Sequence, residues 1–440
     1  MATKPWQRYL RRLAANEIST LTRYSDRVIQ GHPLPSDTGD LLKLLDAKER
    51  ILLEPDAPLP DLGNDPNDRS VFLLNGALNH HFDVEALFAE ARSKMSRGTR
   101  LMLVAYNPHA KWLYDAATFA GLRTGEPVTT YVTFTDLQNL AKLTDLELVR
   151  IRPVAFSPHP LGSIGDAVNS LMPLSPSARA VSSAWVITLR PIVREARRPT
   201  LSIVIPARNE RGNIENALRR LGTLDLPDPE IIFVEGSSTD QTYEEIERVR
   251  PLYSERFEIK AARQPGRGKN DAVRVGFGLA TRELLTILDA DLTMPPELLP
   301  RFYEAYVKGA GDFINGNRLT YPMEGEAMQF LNRLGNVFFA KSLSWVLDAS
   351  LGDSLCGTKL FSARDYARMV AWRNDFGDFD PFGDFELLFP AAVLGLGIVD
   401  VPIRYRAREY GSTNIRRFEH GLELLRMTRT GMVKMKTGRL

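Results

Sequence analysis

Two carboxylates sit where an apolar run stops. In LLTILDADLTMPP, Leu284 to Pro296, apolar and β-branched residues lead straight into Asp289, Ala290 and Asp291, and a Pro pair closes the segment. The run reads as a short buried strand. Residues i and i+2 leaving it can face the same ligand, so the two aspartates could share a cation. Hard carboxylate oxygens suit Mg²⁺ or Mn²⁺, which keep waters and fill their remaining positions with phosphate oxygens. Asp is also common in turns and at helix starts, and taken alone the DAD triplet fits that reading better.

Three further segments end the same way. LSIVIPARNE runs through Pro206 into Arg208, Asn209 and Glu210, and PEIIFVEGSSTD runs into Glu235, Ser238 and Asp240. FEIKAARQ is followed by a glycine-rich stretch bearing Lys269 and Asp271. Helical segments (GNIENALRRLGTL, TYEEIERVRPLY, NDAVRVGFGLA) separate them, so strand and helix alternate. That alternation predicts an open parallel sheet, whose strands present ligand-binding residues at their carboxyl ends. Gly236, Gly266 and Gly268 allow backbone to approach a ligand closely.

The elements that must hold these residues occupy the second half of the chain. At 440 residues the length implies two or three domains at about 150 residues each. The segment LRPIVREARRPT, with two prolines and four arginines, marks a boundary between residues 20–190 and 199–440. The fold class expected is α/β in both parts. A formal charge of only +2 argues against a nucleic-acid binder. From Arg404 onward, however, ten Lys or Arg face three Glu, which fits a solvated helix or a face for phosphates and anionic membrane. The single cysteine, Cys356, excludes an internal disulfide and suits a reducing compartment. The amino terminus lacks the apolar core of a signal peptide. The longest apolar run, Leu387 to Val399, falls short of the roughly 18–20 residues needed to span a bilayer.

In order and spacing, the motifs from Thr200 to Leu440 resemble family 2 glycosyltransferases of the GT-A fold. INGNRL, GDSLCGTKLF and DPFGDFELLF further resemble the polyprenol-phosphate subgroup, the relatives of dolichyl-phosphate mannose synthase. The resemblance implies an inverting hexosyltransferase that moves a mannose- or glucose-type sugar from a nucleotide-diphosphate donor to polyprenyl phosphate. It places Pro206, Arg208, Glu210, Glu235, Ser238, Asp240, Lys269, Asp271, Asp289 and Ala290 around the nucleotide sugar. Asp289 and Asp291 become ligands of Mg²⁺ or Mn²⁺. Arg318, Lys359 and Arg408 become phosphate-binding cations, with Thr413 on the loop that closes over the donor. Glu235 and Gly236 replace the acidic pair common in the base-binding turn, and Asn414 stands where Lys is frequent. Asp384 and Glu386 read either as acids capping a helix start or as contacts to sugar hydroxyls. Asp353 reads as a turn residue or as part of the site. Because a phosphate monoester is already ionised near neutral pH, its transfer needs cations that position the acceptor more than a general base.

The basic end and the segment Met328–Leu347 together fit an enzyme peripheral on the cytoplasmic face of a membrane. Met328–Leu347 has an amphipathic pattern that fits either a core helix or a helix lying on the bilayer. Other readings keep the donor and replace the lipid with a hydroxyl acceptor on a glycan or small molecule, or make the chain a bifunctional methyltransferase and glycosyltransferase. The amino half resembles a class I methyltransferase through TGDLLKLL and the strand–helix–strand pattern of residues 71–107. It lacks the Gly-x-Gly turn that cradles S-adenosylmethionine, and the stretch between Glu54 and Ser70 is too short and Pro-rich for a further strand and helix. A degenerate, noncatalytic domain that does not take this cofactor is expected. His80 and His81 have no partners at metal-ligand spacing.

Overall fold

The computed structural model describes residues 5–63, 65, 68–121, 128–321, 330–377, 380, 383–408, 410 and 417–436. The chain divides into two compact units: Met1–Val193 with Ala392–Gly395 and Gly431–Leu440, and Arg194–Ala391 with Leu396–Thr430.

The first unit is built on strands β1 (Arg27–Gln30), β2 (Glu49–Leu52), β3 (Val71–Asn75), β4 (Arg100–Tyr106), β5 (Leu146–Val154) and β6 (Ala184–Pro191). They form one sheet in the order β2-β1-β3-β4-β6-β5. β1 to β4 pair in parallel, and β6 runs antiparallel to both its neighbours. The period-2 alternation of the strands sorts their side chains to two faces. Phe72, Leu74, Leu101 and Leu103 join one core with Leu87, Phe88 and Ala91 of the helix Val84–Lys94. Val71, Leu73 and Met102 join another with Ala14, Ala15, Ile18 and Leu21 of the helix Pro5–Thr22. Burial on both faces explains why VFLLN and RLMLVAY are nearly uninterrupted apolar runs. Local signals set the helix starts: Asp83 accepts from the Ala86 amide, and Thr133 with Asp136 forms a capping box.

The second unit holds β7 (Leu201–Ala207), β8 (Glu230–Glu235), β9 (Glu258–Arg263), β10 (Leu284–Ile287), β11 (Phe313–Asn317), β12 (Lys359–Ser362) and β13 (Ile398–Pro402). The sheet order is β13-β11-β12-β10-β7-β8-β9. β10, β7, β8 and β9 run parallel, and β12 is inserted antiparallel between β10 and β11. The four strands read from the sequence are the parallel set. Helices Arg211–Leu221, Thr242–Val249 and Lys269–Leu279 connect them, so all four leave their carboxyl ends at one edge.

Leu201, Ile203 and Ile205 of β7 enter the large core with Ile231, Phe233, Leu284 and Phe302, while Val204 faces the helix Lys269–Leu279. There Gly276 leaves no room: a Cβ on it would stand 2.3 Å from a Val204 methyl carbon. The helix Phe330–Leu347 buries Phe339, Ala340, Leu343, Val346 and Leu347 and exposes Leu334 and Phe338. Most of its apolar stripe is therefore core. Among the described residues no helix is long and apolar enough to cross a membrane.

The close approach at Gly276 makes a prediction. Gly276→Ala gains helix propensity yet overpacks against Val204, and unfolding in denaturant should show a net loss of about 1–2 kcal/mol.

Candidate functional site

The carboxyl ends of β7, β8 and β10 and the turn before β12 converge on a set of interlocked charges. Asp289, two residues past β10, pairs with Lys269, the first residue of the helix Lys269–Leu279. Burial alone would raise the Asp289 carboxyl, but Lys269 outweighs it, aided by Lys359 and Arg318, and holds it below its ordinary range. The turn of Gly357 packs directly on this pair. A Cβ at Gly357 would lie 2.2 Å from the Lys269 Nζ and 2.5 Å from an Asp289 oxygen, so any side chain there would push the two charged ends aside.

Asp291 faces a second cation. Its Oδ2 accepts from the Arg408 Nη2 at 2.6 Å, and its Oδ1 accepts from the Thr293 amide and hydroxyl at 3.1 and 2.8 Å. Leu292, between them, is left-handed at φ 54°, which bends the chain sharply enough to hold that turn. Arg408 also reaches Glu210 Oε1 at 3.4 Å. Glu210 lies just past β7 and is only 7% exposed; its Oε2 accepts from the Asn213 side chain at 2.6 Å. Burial pushes its carboxyl up to about 7, against the pull of Asn213 and Arg408.

The end of β8 forms a tight polar turn. Glu235 accepts from the Ser238 amide, the Ser238 hydroxyl accepts from the Asn209 amide at 3.0 Å, and Asn209 Oδ1 accepts from the Thr239 amide at 2.8 Å. Asn209, Ser237 and Gln241 are left-handed at φ 56°, 56° and 64°. Three such residues at two strand ends mark a backbone held in a fixed shape. Asp240 takes the Thr242 hydroxyl and the Arg211 amide; despite partial burial these bonds hold it below its ordinary range. Beside the turn lies a cavity of about 300 Å³ lined by Glu235, Ser237, Ser238, Tyr243, Arg263 and Gln264. Arg263 stacks over the Tyr243 ring at 4.1 Å. Of the remaining donor-side candidates, Arg208 is exposed, Pro206 half-buried and Ala290 buried. Asp271 ties its own loop by accepting from the Gly266 amide at 2.9 Å.

The other expected cations are partnered within the protein. Arg318 makes a two-pronged contact with Asp353, Nε to Oδ2 at 2.6 Å and Nη2 to Oδ1 at 2.9 Å, and its guanidinium lies over Tyr405. Asp353 thus orients Arg318 as well as its own turn. Lys359 is wholly buried and donates to Asp384 and to the Cys356 carbonyl. Its ammonium meets Asp384, not open space. Glu386 is drawn into a buried network: Asn270 Nδ2 donates to it at 2.7 Å, Arg274 Nε at 3.0 Å, and Arg373 completes the set. The helix start that Asp384 and Glu386 seemed to cap is capped by Asp380, which accepts from the Phe385 and Glu386 amides at 2.7 and 2.9 Å.

Sequence reading missed Asn270, Arg274, Arg373, Asp380 and the packing of Gly357. Gly357, Asp380, Asn270 and Arg274 lie inside the quoted segments GDSLCGTKLF, DPFGDFELLF and NDAVRVGFGLA, but their partners are distant in sequence, and Arg373 lies in none of these segments. Tyr410 was also missed; its ring closes over Gly212 and its hydroxyl lies 3.4 Å from Asp240. Thr413 and Asn414 lie outside the described residues.

Among the described residues no third His, Cys, Asp or Glu joins the aspartate pair in a metal-holding group. Two hard carboxylates with no third protein ligand fit Mg²⁺ or Mn²⁺ whose remaining positions go to diphosphate oxygens and water. Glu210 supplies a pH signature. Its folded value of about 7 exceeds the ordinary 4.5, so its stabilising share is complete below pH 4.5 and is lost as pH rises through 7. In donor-free protein kept in EDTA, unfolding free energy should fall by about 3 kcal/mol or less across that window, and Glu210→Gln should flatten the fall.

Comparison with known proteins converges on the same stretch of chain. Residues 202–361 match the family model described as Glycosyl transferase family 2. A dolichyl-phosphate hexose transferase of Haloferax volcanii is 28% identical over 221 residues, 50% of this chain and 89% of the relative. A dolichol-phosphate mannosyltransferase of Pyrococcus furiosus is 32% identical over 136 residues, 30% of this chain and 37% of the relative. Among solved structures, glucosyl-3-phosphoglycerate synthase of Mycobacterium tuberculosis aligns with 54% of this chain and 80% of its own at 19% identity and a TM-score of 0.39. Likeness at that score carries no argument about ligands. The matched residues span β7 to β12, the strands that build the charged cleft, so over this stretch the chain is similar to glycosyl transferase family 2.

Proposed function

We propose that the second unit, read as a GT-A glycosyltransferase domain over residues 199–440, transfers a mannose- or glucose-type sugar from a nucleotide diphosphate to polyprenyl phosphate. The observation that carries this reading is the pairing of Asp289 with Lys269 and of Asp291 with Arg408 at the ends of parallel strands. A cleft of alternating carboxylates and cations is what a donor diphosphate with Mg²⁺ or Mn²⁺ requires. The names of the two curated relatives supply the acceptor class.

Each side chain has a part in this reading. The nucleoside enters the cavity beside Glu235 and Ser238, with Tyr243 and Arg263 along its wall. Asp289 and Asp291 would hold Mg²⁺ or Mn²⁺, which would supply positive charge against the departing diphosphate. Lys269 and Arg408, partners of the two aspartates, then face the diphosphate oxygens. Arg318, fixed by Asp353, steers the acceptor phosphate. Lys359 acts through Asp384, fixing that carboxylate for the sugar hydroxyls, and Glu386 with Asn270 braces the helix that carries it. One acceptor phosphate oxygen bonds to the anomeric carbon as the bond from that carbon to the diphosphate breaks. The acceptor oxygen is already ionised, so orientation is the main demand. We place the enzyme peripherally, on the cytoplasmic face of the membrane that holds its acceptor.

We read residues 20–190 as a degenerate methyltransferase-like domain. In support, the space above Gly31, the first residue after β1, is filled by Leu59, 2.4 Å from where a Cβ would stand. The loop behind it is closed by Asp37, which accepts from Gln30 and Asn75 at 2.7 and 2.8 Å.

Three experiments test these readings. Incubation with labelled nucleotide sugars, Mn²⁺ and polyprenyl phosphate should yield an acid-labile product that extracts into organic solvent; a water-soluble product would move the acceptor to a hydroxyl. Asp291→Ala should lower turnover by about 10²–10³-fold with the fold retained, and unchanged turnover would refute the metal assignment. Titration calorimetry with S-adenosylmethionine should give no heat of binding, whereas micromolar affinity would restore a working cofactor site in the first unit.

A further inference from the structure

A second groove, of about 640 Å³, opens in the second unit, lined by Pro295, Leu298, Arg301, Tyr321, Arg404 and Arg406, with Glu297 at its edge. Its charge is lopsided. The three arginines are exposed, and among the described residues no carboxylate forms an ion pair with them, although Arg406 lies close enough to Glu297 to help draw its carboxyl down. Glu297 is already held by Arg220, at 2.8 and 2.6 Å through two parallel bonds. The chain is shaped to display these arginines. Ile403 is fully buried and Tyr405 turns under Arg318, so Arg404 and Arg406 fall on the opposite side. The Arg406 amide, bonded to the Thr293 carbonyl at 2.9 Å, pins the segment against the turn that follows Asp291. None of the groove's charged side chains pairs with Lys269, Asp289, Asp291 or Arg408.

We propose that Arg301, Arg404, Arg406 and Tyr321 form a second anion site, separate from the donor cleft, that takes the phosphate of a phosphate ester. Three planar guanidinium groups supply forked donors suited to phosphate oxygens. Tyr321, 40% exposed, offers an amphipathic ring to the carbon skeleton that bears the phosphate. The groove falls in the size range of small-ligand sites, so it accommodates the ester's substituent as well as the anion. Two sources carry this chemistry, a phospholipid headgroup and a soluble phosphomonoester.

The test uses the full chain, and its readouts involve no sugar transfer, so they are independent of the function proposed above. Co-sedimentation with phosphatidylcholine vesicles, with and without phosphatidylglycerol, probes the headgroup. Thermal shift with glycerol 3-phosphate probes the soluble ester. Wild-type protein should sediment with the anionic vesicles, and the triple variant R301Q/R404Q/R406Q should bind them roughly 10–100-fold more weakly, with melting temperature and nucleotide-sugar binding unchanged. Arg404→Gln and Arg406→Gln alone should each give part of that loss. Stabilisation of wild type but not of the triple variant by glycerol 3-phosphate, without vesicle binding, assigns the site to a soluble ester. Equal behaviour of wild type and triple variant with both probes, or no response of the wild type to either, overturns the proposal.

Discussion

The site in the second unit turns on two carboxylates held side by side against cations at the end of a buried strand. Asp289 and Asp291 would repel each other and resist desolvation without cations against them. Lys269 arrives from the start of one helix and Arg408 from the segment after β13, so the pair is held from opposite directions. The surrounding structure serves this arrangement. Gly357 lets the β12 turn close onto Lys269, Gly276 lets the helix bearing Lys269 lie flat on β7, and the left-handed Leu292 aims Asp291 at Arg408. Loss of either cation would leave an uncompensated carboxylate in a partly buried site, which costs more than the pair itself contributes.

The residues that form the charged cleft were legible where the signal is local. A strand ending in two acids, a helix preceded by glycines and a strand ending in a polar turn are each written in a handful of adjacent residues, and the sheet places those residues along one edge. The partners were not legible. Glu386 meets Arg274 across 112 positions of sequence, and Arg318 meets Asp353 across 35. No periodicity reports such pairings, because only the folded sheet decides which loops face each other. The acids of DPFGDFELL show the consequence: local rules assign Asp384 and Glu386 to the helix end, while Asp380 occupies that role and frees both for charge pairing.

In the first unit, the strand–helix–strand pattern of residues 71–107 corresponds to β3, the helix Val84–Lys94 and β4, whose side chains enter two separate cores. What local reading could not supply was the fate of the space beyond β1. The missing Gly-x-Gly turn is visible in the sequence, but what packs above Gly31 is not. Here Leu59 comes from the Pro-rich stretch that was too short for a strand and helix, and that shortness lets it fold back over Gly31.

The buried pair of Lys359 and Asp384, with its neighbours, gives the cleft its own counterions. In the reading proposed above, a diphosphate entering the cleft would meet cations already fixed by carboxylates, so its phosphates must fit between charges whose positions the fold has set. Selection by shape would then begin before any contact with the sugar is made.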